Sequence, residues 1–232
     1  MKTCLHLILT LLLISLKAEG FSTSNRSDDV IHKYETTLKT MLSGANVDIK
    51  APLLIRIFKE DHPRFWMTNF YRGRLELWGK AQDHYNQIFS LPILHFTGDV
   101  GPRTKNSPDN LPEGIFEISA DGLQPLSRHH LAVGISKTRH PATCKENLDA
   151  PQLILHGGWY GDQGFALGKE GVSLLYTALH NHFSQHGEPV PVHIFPFPFQ
   201  ADNLYPYRHS PALGFWNNLL PLYLDFDLHR KL

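Results

Sequence analysis

Cysteine is almost missing from this chain, which has two in 232 residues. Cys4 lies at the edge of an apolar leader, so a processed chain would keep Cys144 alone, and one cysteine closes no internal disulfide. An excess of either charge is missing too: Lys+Arg and Asp+Glu are both 22. A nucleic-acid partner needs a basic surplus to neutralise phosphates, and this balance excludes it as the main ligand. The one long apolar run is Leu5 to Leu16, twelve residues, and that is too short to cross a bilayer comfortably. No internal repeat is visible.

The leader itself is informative. Lys2 gives a positive start, the apolar run follows, and Lys17-Ala18-Glu19-Gly20 offers small residues where a signal peptidase reads. Residues 1–20 are therefore expected to be a secretory signal peptide, with an uncleaved anchor as the alternative. Cys4 comes too early for a lipoprotein cleavage site. What remains is one domain's worth of chain, able to bury roughly 70% of its unfolded surface without disulfides. A mature chain free of membrane spans, in an exported location, is the expectation. The fifteen histidines are the compositional oddity, and they gain charge near pH ~6.

Residues 21–49 read as a helical extension. Asn25-Arg26-Ser27 is a glycosylation sequon, relevant only in a eukaryotic secretory pathway. Asp28 or Asp29 could cap a helix with Ile31, Tyr34, Leu38 and Met41 on one face, ended by Gly44. Residues 50–232 read as the main domain. Strand signals cover Leu53 to Phe58, Leu75 to Trp78, Asn86 to Leu91, Gly114 to Ile118, His130 to Ile135 and Gln152 to His156. Gly98 to Pro112 reads as a long loop. A helix is expected from about Lys169 to His186, with Val172, Leu175, Tyr176 and Leu179 inward. Val190 to Phe197 returns to strand character, and its prolines suit a sheet edge. Phe215, Trp216, Tyr223 and Phe226 should fold back on the body. The expected fold is mostly β, a mixed sheet with peripheral helices and no second domain.

The sharpest motif is Leu153-Ile154-Leu155-His156-Gly157-Gly158, a β-rich run ending in histidine and glycines. Alone it is compatible with a hydrogen-bonded structural histidine. Its neighbours change that. Ile55 to His62, Glu76-Leu77-Trp78, Thr97 to Arg103, Leu111 to Phe116, His129-His130-Leu131, Val192 to Phe197, and His209-Ser210-Pro211 with Phe215 to Leu219 follow one another in order. In that order they resemble the L,D-transpeptidase (YkuD-type) catalytic domain, in the subgroup with the enzyme that detaches murein lipoprotein. The resemblance covers roughly residues 50 to 226.

The resemblance implies a periplasmic or otherwise exported protein that meets peptidoglycan or its peptide stems and needs no cofactor. It makes His156 the base beside a cysteine nucleophile. A thiol needs such an imidazole to become the attacking thiolate, and backbone N–H groups then hold the oxyanion. Here the chain departs from the pattern. An ungapped match places Gly164 at the cysteine, Gly161 at the preceding serine and Gln163 at its glycine, and no cysteine follows Cys144. Cys144, twelve residues before His156, is the alternative as a relocated nucleophile. More often a lone cysteine is a small buried residue.

Residues 129 and 130 should alternate across a strand, so only one of them can face the cleft; the resemblance favours His130, which would then line the groove near His156. Gly157, Gly158, Trp159, Tyr160 and Gly161 complete the groove, with the two aromatics either filling space or offering a platform to a sugar or peptide. His182 and His186 have the spacing of some zinc sites, but a solvated helix face is the favoured reading, and no metal site is assigned. Three functions stay open: a catalytically impaired binder of stem peptides, an active transpeptidase or hydrolase using another nucleophile, and an envelope interaction module.

Overall fold

The computed structural model describes residues 24–60, 73–137, 153–160 and 164–232. The leader, Cys144 and Gly161 lie outside the described residues. Helix α1, Ser24–Gly44, opens the described chain and starts a turn earlier than the aspartates suggested. Strands β1 (Leu53–Phe58), β2 (Gly73–Ala81) and β3 (His84–Ile93) follow. After the long loop come β4 (Gly114–Ile118), the short β5 (Leu123–Gln124), β6 (Ala132–Lys137), β7 (Leu153–His156) and β8 (Gly164–Ala166). Helix α2 (Gly168–Gln185), β9 (Val190–Phe195), the single-turn α3 (Ala201–Leu204) and α4 (Leu213–His229) complete the set.

The strands form one mixed sheet in the order β3-β2-β1-β9-β4-β6-β7-β8, with β5 paired to β6. Its two faces follow from the period-two alternation of strands. Leu53, Ile55 and Ile57 share a buried cluster with Leu75, Val192, Ile194, Phe116, Val133 and Leu155, and with Leu38 of α1 and Leu175 of α2. On the other face Phe58 and Phe195 meet Trp216, Leu219 and Tyr223 of α4, while Leu54 and Trp78 meet Phe226. The sheet is thus apolar on both sides, which is why every residue of β1 is buried.

One expectation is corrected. β9 is central, parallel to β1 and antiparallel to β4, where its prolines suggested an edge. The β1 ladder begins at Val192, past Pro191, and stops at Phe195, before Pro196, so the prolines flank the doubly paired stretch. The aromatic tail does fold back on the body, as expected, and does so as a helix that runs through Pro221. Pro221 and Asn217, whose carbonyl loses its amide partner, are both exposed, so water can satisfy that group.

A buried network fastens α4 to the sheet. Lys59 Nζ donates to the carbonyls of Gly101 and Leu111, at 2.9 and 2.7 Å, and to Glu113 Oε1 at 3.0 Å. Glu113 also accepts the Gly101 N–H at 2.7 Å and, on Oε2, the Trp216 indole N–H at 2.7 Å. Both charges are fully buried, and these bonds supply the pairing such burial requires.

Candidate functional site

β7 and β8 run parallel, with Ile154 opposite Gly164 and His156 opposite Ala166, although only residues 157–163 connect them. Parallel strands ordinarily need a longer crossover. Here the strands are four and three residues long, so the chain has to travel back only on the order of 10 Å. Gly157 and Gly158 start that return. A Cβ on Gly157 would lie 2.6 Å from the His129 carbonyl oxygen and 2.9 Å from Val172, so glycine alone lets the strands come this close.

His156 ends β7 and is 1% exposed. Register places it in a row with Ala132 on one side and Ala166 on the other, and Ala166 is bridged in turn to His95. Residues in one row project from the same face of a sheet, so small alanines flank the imidazole. The His156 Nδ1 accepts the Gly158 N–H at 3.1 Å. Against it lies the ring of His129, centroids 4.7 Å apart and tilted by 37°. Arg128 Nε in turn donates to His129 Nε2 at 2.9 Å.

This arrangement corrects the expectation for His130. Residues 129 and 130 precede β6, and His130 has φ +80°, a left-handed backbone that breaks the strand alternation. Its Nε2 is 3.0 Å from Ser173 Oγ on α2, the opposite face from His156. His129 is the residue that meets His156. In the sequence His129 is weighed against His130 and passed over, while His95 and Arg128 are not singled out, because no motif marks them; sheet register and the positive φ bring all three in.

Gly164 sits where the sequence match puts the nucleophile, and the backbone there leaves no room for a side chain. A Cβ at 164 would fall 2.1 Å from the Ile154 carbonyl oxygen and 2.8 Å from its Cγ1. A thiol at this position would have to part β7 from β8. Trp159 and Tyr160 turn outward, 70% and 78% exposed, and the Tyr160 ring stands edge-on to His95 at 5.3 Å.

The solvated-face expectation for His182 is also corrected. His182 is 3% exposed, with Nε2 at 3.1 Å from the Glu188 carbonyl oxygen. Burial pushes its pKa down, and the neighbouring His186 adds to that. Helix α2 shares a buried cluster with the sheet and α1, so His182 belongs to the core, while His186 is exposed as the solvated-face reading has it. Among the described residues, no group of three or more His, Cys, Asp or Glu is placed to hold a metal. Nor is any described helix long and apolar enough to cross a membrane.

Sequence similarity along nearly the whole chain supports an L,D-transpeptidase-like protein. The relatives are two Escherichia coli proteins, from strain K12 and from O157:H7, each named "Putative L,D-transpeptidase YafK". Each is 25% identical over 226 residues, spanning 97% of this chain and 83% of its own length. No family model matches the chain. Among solved structures, one of Bdellovibrio bacteriovorus Bd1075 aligns with 66% of this chain and 51% of that one, at 14% identity and a TM-score of 0.35.

Proposed function

We propose that this protein is an exported, cell-envelope L,D-transpeptidase homologue that binds the peptide stems of peptidoglycan and has lost acyl transfer. One observation carries the loss. No cysteine follows Cys144, and residue 164, matched to the nucleophile, is a glycine with a carbonyl oxygen 2.1 Å from any added Cβ. Without a thiolate there is no acyl-enzyme, and the residual catalysis of a site stripped of its nucleophile is small.

The hydrogen bonding of His156 supports the same reading. With Nδ1 accepting from Gly158, the neutral ring carries its proton on Nε2. A ring so arranged donates a hydrogen bond and is not poised to take a proton there. The retained His-Gly turn and the collinear segments around it favour a kept ligand over a lost one. Co-sedimentation of the purified chain with peptidoglycan sacculi, and calorimetric titration with a free tetrapeptide stem, test the binding. Saturable binding that His156→Ala weakens is expected. No binding to either would overturn the proposal.

A further inference from the structure

We propose that Trp159 and Tyr160 form a stacking platform for the sugar rings of a glycan strand. Trp78 and Trp216, the other described tryptophans, are buried, whereas Trp159 and Tyr160 hold most of their surface in water. Two neighbouring exposed aromatics are a standing hydrophobic cost that a ligand covering them would relieve.

The platform has a fixed base. The Gly157 N–H donates to the Leu131 carbonyl at 3.2 Å, and the Gly158 N–H to His156 Nδ1 at 3.1 Å. Gly158 itself is wedged against His129 and His156, each with an Nδ1 at 3.0 Å from the point where a Cβ would stand. His95 then meets the edge of the Tyr160 ring. The two aromatics therefore leave a turn held by hydrogen bonds and close packing, and less conformational entropy is lost when they are covered.

The shape selects the ligand class. An apolar peptide side chain needs a concave pocket around it, and rings exposed to this degree offer none. A pyranose presents a flat face of C–H bonds that stacks on an open aromatic ring, with hydroxyls left for the polar groups alongside. Arg128 and His129 lie next to the same turn and supply that polar border. Neither Trp159 nor Tyr160 is charged, so the stacking surface itself suits the uncharged face of a sugar. The identity of the polymer as peptidoglycan glycan rests on the stem-peptide reading above; the stacking on sugar does not.

The test uses the full chain and two probes, a peptide-free β-1,4-linked tetramer of N-acetylglucosamine and a sugar-free tetrapeptide stem. The tetramer is expected to bind and to change tryptophan fluorescence. Trp159→Ala and Tyr160→Ala are each expected to weaken it about tenfold or more, with unfolding midpoints unchanged because both side chains are exposed. Trp159→Phe should retain most of the affinity. Tetramer binding equal in wild type and the double alanine variant, or absent from wild type, overturns the platform. So does a Trp159→Ala effect confined to the tetrapeptide, which would make the rings a peptide contact. If the tetramer binds through Trp159 while the tetrapeptide does not bind at all, the platform stands and the stem-peptide reading falls.

Discussion

His156 accepts the N–H of Gly158, two residues further along the chain, through its Nδ1 at 3.1 Å. A histidine with an acceptor at Nδ1 is protonated at Nε2 when neutral. Long-range proton–nitrogen correlation NMR on histidine-labelled protein is expected to show an unprotonated Nδ1 and a protonated Nε2 for His156. The opposite tautomer would remove the argument that this ring is a donor.

Glycines divide sharply by what surrounds them. Gly164→Ala brings a methyl onto the Ile154 carbonyl oxygen, 2.1 Å away, and is expected to cost about 1–3 kcal/mol or more. Gly44, at the end of α1, has nothing within 4 Å of an added Cβ, and Gly44→Ala should be neutral or stabilise by about 0.4–1 kcal/mol. Urea unfolding curves of the two variants read both outcomes. Equal midpoints would mean that β7 and β8 are not paired as described.

The Lys59–Glu113 pair is fully buried, and Glu113 takes hydrogen bonds from Lys59, Gly101 and Trp216. Glu113→Ala leaves a buried ammonium without its counter-charge and is expected to cost about 3–5 kcal/mol. Trp216→Phe removes one donor and keeps the ion pair, so its cost should be smaller, about 1–3 kcal/mol. Denaturant titrations of both variants check that order. A reversed order would show that Trp216 is held by its packing against Phe197 and Tyr207 more than by the carboxylate.

Stability should depend on pH through His182. Burial lowers its pKa from the ordinary 6.5, so between the folded and unfolded values the unfolded chain binds more protons. Stability then rises with pH across that window. The contribution is complete above 6.5 and is lost as pH falls through the depressed folded value. Unfolding midpoints measured at stepped pH should drop on acidification, and His182→Gln should flatten that part of the profile. An unchanged slope in the variant would assign the acid sensitivity elsewhere.

Local pattern made much of this fold legible. β1, a short β-rich run bounded by Pro52 and charged residues, and β4 begin and end where the sequence put them, and α2 is displaced by one residue from its apolar periodicity. What stayed hidden depends on contacts distant in sequence. Pro191 and Pro196 pointed to an edge because nothing local says that β1 pairs only the residues between them. The tail's return to the body was legible in its aromatics, while no element was assigned to it, although its inward residues Trp216, Leu219, Tyr223 and Phe226 recur at helical spacing. At the site, His156 and its glycines were readable from a strand-end motif. The exchange of His130 for His129 was not, because it turns on one residue with positive φ ahead of β6.

The most direct test of the central claim is mass spectrometry of the purified protein incubated with tetrapeptide muropeptides and sacculi. Both the intact protein mass and the released muropeptides are followed, beside a His156→Ala control. Bound muropeptide is expected, with no covalent adduct and no new crosslinked or cleaved product above the no-protein control. New products that wild type makes and His156→Ala does not would contradict the central claim and establish an active enzyme with another nucleophile.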